Sequence, residues 1–401
     1  MLKRVFKAFE YRDFRLLWFG ACLSSIGTWM QTVAQNWIVL EITQSPFMLG
    51  LDSFLGQIPI FLFSLVGGVI ADRADRRKLL VGSQVVQMSC AFLLAILFAF
   101  SKVEVWHILC LSFVVGLAQA FGGPAYQALI PTLVAAKDLP NAIALNSIQF
   151  NLARVIGPML GGLALTTLGA AWCFTFNGIS FVAVIFSLLL LPVRPLAAKT
   201  GASIMTSLKE GLRFVRERDS MTALIVLAFT MTMLGIPLIV FLPVVVKEVF
   251  AKGAETFTLM LCISGGGAVV GALTVAAFGN IRNKGQVALF TLMMLGILMA
   301  AFGMSKSLVL SCILLFLAGA ALIAVFAMIS SLVQLIAPDE MRGRVMSVYN
   351  VAFRGGMPIG SLISGEMISR TSAPAVLVAN GVLLVMLGAY FMFVQRRVAR
   401  L

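Results

Sequence analysis

The sequence predicts an all-α membrane protein of twelve transmembrane helices in two pseudo-symmetric six-helix bundles. Three observations lead there. Of 401 residues, 60% are hydrophobic and 11% charged, which leaves too few polar groups to cover a water-soluble globule of this size. Apolar runs of roughly 20 residues, the length that crosses a bilayer as a helix, follow one another with short polar breaks. The basic residues, finally, gather on alternate breaks.

The runs place spans near residues 16–42, 47–71, 79–100, 105–125, 146–170, 171–191, 221–247, 256–280, 286–304, 308–330, 345–370 and 374–394. The charged start "MLKRVFKAFEYRDFRLL" resembles a secretory signal. No small-residue cleavage site follows, so the first run is expected to stay as an uncleaved helix. Pro237 and Pro243 interrupt the seventh span. The longest polar break divides the chain into a first bundle at 1–191, a linker at 192–220 and a second bundle at 221–401. Within the linker, "SLKEGLRFVRERD" sets Leu208, Leu212 and Val215 on one helical face and Lys209, Arg213 and Arg216 elsewhere, the pattern of a helix lying on a membrane surface.

A net charge of +14 invites a nucleic-acid reading, and the placement of the bases argues against it. Lys3, Arg4, Lys7, Arg12 and Arg15 precede the first span, and Arg73, Arg76, Arg77 and Lys78 occupy the second break. Lys137, six bases between 194 and 218, Arg282, Lys284, Arg342, Arg344, Arg396, Arg397 and Arg400 continue that side. Opposite breaks hold only Lys102, Lys247, Lys252, Lys306 and Arg370. The positive-inside rule then expects a multi-pass protein of the cytoplasmic membrane with both termini in the cytoplasm, membrane lipids as the counter-charge, and no nucleic-acid partner. The six cysteines lie within spans without CxxC spacing, and His107 stands alone. No metal site and no cofactor are expected. Without a nucleophile–base pair or a phosphate loop, enzyme chemistry is not expected either.

The halves echo each other. "SIQFNLARVIGP" in the fifth span carries Ser147, Arg154 and Pro158, and "SVYNVAFRGGMP" in the eleventh carries Ser347, Arg354 and Pro358 at an offset of 200, as a duplicated transporter would. "GGVIADRADRRKLL" at the end of the second span resembles the loop 2–3 signature of the major facilitator superfamily, through Gly68, Ile70, Ala71, Asp72, Arg73, Arg76 and Arg77, with Asp75 in place of a glycine. Gly157, Pro158, Gly161 and Gly162 resemble that superfamily's antiporter motif, with Ala153 in place of its leading glycine. "PAYQALIPTLVAAKDLPNAIALNS" and "LEITQSPFMLG" are similar to its branch of drug and siderophore exporters, which includes enterobactin and macrolide exporters.

The resemblance implies that Asp72 sits against the N-terminus of the eleventh helix, where unpaired N–H groups favour a carboxylate by about 0.3–1 kcal/mol. Gly68, Asp72, Arg73, Arg76 and Arg77 would then form a cytoplasmic gate. A solvated basic turn is the plainer alternative, and it suits Lys78.

Ser24, Thr28, Gln31 and Gln35 form one polar stripe on the first span, which must face protein or water rather than lipid. It fits interhelical hydrogen bonding and a cargo-lined cavity equally well. Arg154 and Arg354, with Asn151 beside the former, lie about 12–13 Å from the starts of their spans at 1.5 Å per residue. They either pair with acidic groups of cargo or protein, or snorkel to the interface. Asp52, Glu41 and Glu366 are the carboxyl groups placed for proton coupling, Asp52 because it lies inside a span, although it also suits an outer vestibule. The resemblance implies a monomeric secondary transporter that exports an amphipathic small molecule by alternating access, with protons as coupling ion. A channel is not expected, since the sequence shows no ring of charges or filter-like loop and the two-half plan suits alternating access. Lipid transport, for instance of a lysophospholipid, and nutrient uptake are the alternatives.

Overall fold

The computed structural model describes residues 6–192, 204–277 and 283–401, with the side chains of Asp72, residues 204–208 and Asp339 outside the description. Among the described residues there is no strand. The long helices are α1 (Arg12–Thr43), α2 (Pro46–Arg73), α3 (Arg76–Ala99), α4 (Val105–Leu129), α5 (Leu139–Thr167) and α6 (Ala170–Leu189). After α7 (Ile204–Arg216) come α8 (Asp219–Gly235), α9 (Pro237–Val240), α10 (Leu242–Glu248), α11 (Ala254–Ala277), α12 (Lys284–Met304), α13 (Leu308–Ile336), α14 (Asp339–Arg370) and α15 (Ala373–Ala389).

Ten helices among the described residues are long and apolar enough to cross a membrane. The first and eleventh predicted spans, α1 and α14, fall outside that set. Both are 32 residues long, and polarity rather than length separates them: α1 carries Ser24, Ser25, Thr28, Gln31, Thr32 and Gln35 within its apolar run, and α14 carries Arg342, Arg344, Arg354, Glu366 and Arg370.

Local chemistry sets the boundaries. Asp75 caps α3 by accepting from Arg77 N (3.0 Å) and Lys78 N (3.3 Å). Its φ is −61°, so the turn needs no glycine there. Gly169, at φ 90°, makes the tight connection from α5 to α6, a backbone region that side chains disfavour. The seventh span breaks where Pro237 and Pro243 remove N–H donors, and it becomes α8, α9 and α10. α5 and α14 begin at 139 and 339, six or seven residues before their apolar runs, because Pro140 and a polar first turn start a helix that hydropathy cannot see. Arg154 and Arg354 therefore sit about 22 Å from the starts of their helices at 1.5 Å per residue, the first turns of which precede the apolar runs.

The described chain forms two compact units. The first comprises Met1–Thr43 and Ile58–Gly201; the second comprises Gln44–Gln57 and Ala202–Leu401, so the N-terminal half of α2 packs with the second unit. Helix pairing repeats between them: α1 packs on α5, α3 on α4 and α3 on α6 in the first unit, as α8 packs on α14, α12 on α13 and α12 on α15 in the second. Gly157 and Gly161 of α5 lie against Ile26 and Met30 of α1, while Gly356 and Gly360 of α14 lie against Phe229 and Met233 of α8. A Cβ at any of these four would strike backbone. The equivalent glycines are 199 residues apart, not 200. One residue is 100° around a helix, so Arg154 and Arg354 do not occupy matching faces.

The linker helix α7 does more than tether. Gly211 lies against the Arg344 carbonyl, Val215 is buried, and Glu210 pairs with Arg344 at 2.5 Å. It packs on the first turns of α14. Leu208 lies outside the described side chains, and Leu212 is 40% exposed.

Candidate functional site

In the first unit the polar stripe of α1 meets partners on two other helices. Asn177 of α6 donates to Gln31 Oε1 (2.6 Å), Gln31 Nε2 donates to Gln35 Oε1 (3.3 Å), and Gln35 Nε2 donates to Ser112 of α4 (2.8 Å). Thr28 instead donates back to the Ser24 carbonyl at 2.9 Å, and Ser24 is buried. Gln31 and Gln35 thus link α1 to α6 and α4, the interhelical half of the two readings of this stripe. A second amide chain runs from Gln119 to Gln87 (2.9 Å) and on to Ser83, which donates to the Ala118 carbonyl (2.7 Å). Gln149 donates to Ser25 Oγ (2.7 Å) and to the Ala21 carbonyl. Sequence reasoning missed Gln87, Ser112, Gln119, Gln149 and Asn177. The signal for Gln87 was its i, i+4 pairing with Ser83 in an apolar helix.

The predicted gate resolves into parts. Arg76 donates to the carbonyls of Ala71 (3.2 Å) and Ala128 (3.1 Å), and Arg77 donates to those of Leu191 (2.6 Å) and Leu189 (2.7 Å). Two arginines at one helix start therefore satisfy the last carbonyls of α2 and α4 and those at the end of α6, the groups a helix terminus leaves without partners. Arg73 is exposed. Gly67 lies against the Ala120 carbonyl of α4, whereas a Cβ at Gly68 would meet open space. The side chain of Asp72 lies outside the described ones.

Arg154 holds its guanidinium 5.8 Å from the centre of the Trp29 ring, a cation–π contact with α1. Asn151 donates to the Ser147 carbonyl at 2.8 Å. Arg354 is exposed. Among the described residues neither arginine forms an ion pair. Of the antiporter-like motif, Gly157, Pro158, Gly161 and Gly162 are all buried.

In the second unit Asp52 is 4% exposed. It stands next to Ser53, whose hydroxyl bonds that of Ser361 on α14 at 3.1 Å; Ser53 in turn lies one turn from Gly50, which touches the Gly365 backbone. Further contacts on this face are Phe47 N to Ser369 Oγ (3.0 Å) and Lys247 Nζ to Gln44 Oε1 (2.6 Å). The three carboxyl candidates separate here: Asp52 is buried, Glu41 is exposed, and Glu366 is paired with Arg370 one turn on at 2.5 Å.

Both units thus enclose hydrogen-bonded polar groups in helices that are otherwise apolar, the construction of a membrane transporter rather than a membrane anchor. The chain belongs to the transmembrane secretion effector family of the major facilitator superfamily, whose profile matches residues 4–400. Macrolide efflux protein A of Streptococcus pyogenes is 21% identical over 389 residues, covering 94% of this chain and 95% of that one. Enterobactin exporter EntS of Shigella boydii serotype 18 is 26% identical over 390 residues, covering 95% and 91%. The multidrug efflux pump Tap of Mycolicibacterium fortuitum is 24% identical over 394 residues, covering 95% of each. Among solved structures, nucleoside transporter NupG superposes with a TM-score of 0.73 at 16% identity, covering 95% of this chain and 98% of that one. A bacterial homologue of the iron transporter ferroportin superposes with 0.71 at 16% identity, covering 95% and 99%.

Proposed function

We propose that this chain is a secondary transporter of the cytoplasmic membrane, both termini inside, that exports an amphipathic small molecule of the drug or siderophore kind in exchange for protons. The family is one of transporters, and the relatives named above are an efflux protein, an efflux pump and an exporter. The observation that carries the reading is Arg154: a guanidinium about 12 Å past the start of its apolar run, facing the Trp29 ring, with no ion pair among the described residues. An arginine so deep is costly in a membrane protein unless a partner arrives, and an aromatic face beside a cation suits a cargo with an apolar body and an acidic or hydrogen-bonding group. Asp52 is the carboxyl group for coupling, since burial makes its charge state expensive and therefore switchable.

A transport screen in proteoliposomes, with and without an imposed pH gradient, tests this. Siderophores or amphipathic drugs should move in a gradient-dependent way, and Asp52→Asn should leave movement down the cargo's own gradient but remove the effect of pH. Gradient-driven transport that survives Asp52→Asn would take Asp52 out of the mechanism. Absence of any drug or siderophore transport, with lysophospholipid crossing instead, would favour the lipid reading, for which Arg154 offers a phosphate partner.

A further inference from the structure

Gly157 stands one turn beyond Arg154 on α5, and a Cβ there would meet Trp29 Cβ, the Ile26 carbonyl and Met30 N on α1. Glycine therefore lets Trp29 come down against α5, and the guanidinium carbon of Arg154 lies over its ring, 5.8 Å from the centre. Phe150, one turn before Arg154, is 53% exposed and sets its ring 6.4 Å from that of Trp29 at an interplanar angle of 70°. Asn151 lies on the same side of the helix, its amide nitrogen spent on the Ser147 carbonyl at 2.8 Å.

The second unit keeps this backbone contact without these side chains. Gly356 of α14 meets Thr232, the Phe229 carbonyl and Met233 N on α8, so Thr232 stands where Trp29 does. Phe353, 199 residues on, stands where Arg154 does. Thr232 is buried, and Phe353 packs on Phe326 and Tyr349 with ring centres at 4.6 and 6.1 Å. Cation and ring occur together in one unit and are both replaced in the other.

Arg154 also lacks a counter-charge. The apolar stretches of the first unit, 16–40, 58–71, 79–101, 105–136 and 139–193, hold one Asp, Glu, Lys or Arg between them, and it is Arg154. Its five N–H donors have no acceptor among the described residues. An arginine in such a stretch costs more than an aromatic face returns, so Trp29 fixes the guanidinium without satisfying it.

We infer that Arg154 and Trp29 form an anion-selective site in the first unit: an organic anion with an apolar body sets its carboxylate oxygens on the free N–H groups of Arg154 and its body beside Trp29 and Phe150, and cationic amphiphiles are excluded. Arg154 supplies the charge. Trp29 is a positioning residue, holding the guanidinium over its ring so that the fork of donors stays open to a carboxylate. The inference deepens the export reading and rests on it for one point only, that the bound anion is the cargo.

The test is calorimetric titration of the full chain in detergent with naphthoate, its neutral isostere naphthamide and the cation naphthylmethylammonium. Wild type should bind the anion at least about tenfold more tightly than the amide, a difference of roughly 1.4 kcal/mol, and the cation no more tightly than the amide. Arg154→Gln should bring anion and amide to equal affinity. Trp29→Leu should cut the anion's advantage about threefold while Trp29→Tyr keeps it, a rescue of charge preference that packing alone would not give. Equal affinities for anion and amide in wild type overturn the site without recourse to any variant, as does an anion preference that survives Arg154→Gln. A preference untouched by Trp29→Leu removes Trp29 from the site. Export assayed in parallel keeps the two readings apart: anion binding with no export sinks the export reading and leaves the site, whereas export of naphthylmethylammonium ahead of naphthoate keeps the export reading and overturns the site.

Discussion

Where α4 ends, Ile130 and Val134 are buried in the first unit; where α13 ends at the matching register, Ser330 and Gln334 line a cavity in the second. The contrast runs the other way in the middle of the helices. There the first unit holds amide chains through Gln31, Gln35 and Asn177 and through Gln87 and Gln119, while α13 presents Ala318, Ala321, Leu322 and Val325. Backbone contacts, by contrast, are kept: glycines on carbonyls in both units. A duplicated scaffold conserves the places where helices touch too closely for a Cβ, because change there displaces a whole helix. It diverges in polar side chains, which can be repaired one hydrogen bond at a time.

That difference can be broken at its strongest point first. Gly267 receives the Phe316 carbonyl, so Gly267→Val should force α11 and α13 apart, at a cost of about 1–3 kcal/mol or more from overpacking. A lower melting temperature and a poorly monodisperse protein are expected, whereas Gly68→Val, which faces open space, should melt like wild type. Next comes Asn177→Ala, which leaves Gln31 Oε1 without its donor and should cost about 1–3 kcal/mol. Replacing both, Gln31→Leu with Asn177→Leu, should recover much of that loss, since an apolar pair needs no hydrogen bonds. Recovery marks the stripe as scaffold; a stable double variant that no longer transports would mark it as cargo-lining instead.

Smaller effects sharpen the account of the basic turn. Asp75→Ala removes the cap of α3 and should cost about 0.5–2 kcal/mol, readable as an earlier thermal transition, and Asp75→Asn should restore most of it. Glu210→Gln breaks a half-exposed pair with Arg344 and should cost only about 0.2–1 kcal/mol. A larger loss would mean that α7 holds α14 more firmly than one ion pair explains.

Much of this was legible in the sequence because hydropathy reports helices that face lipid. It told the seventh span's proline breaks and the linker helix. It placed α5 and α14 too short because their first turns are polar, and it put the repeat at 200 because Arg154 and Arg354 happen to align, whereas the glycines that touch the first helix of each unit align at 199. Polar partners were harder to read. Gln31 and Gln35 stood out by spacing within one helix, but Asn177 and Ser112 join them only through packing between helices, for which one chain's periodicity carries no signal. Asp75 in place of a glycine looked like a departure from a motif, and its geometry shows an ordinary helix cap.

The most direct measurement is energised transport: purified chain in liposomes, an amphipathic anion at equal concentration on both sides, and a proton gradient imposed across the bilayer. The account predicts net accumulation of the anion against its own gradient, abolished when an ionophore collapses the pH difference. Distribution that stays even, with the protein shown to be folded and inserted, would contradict it.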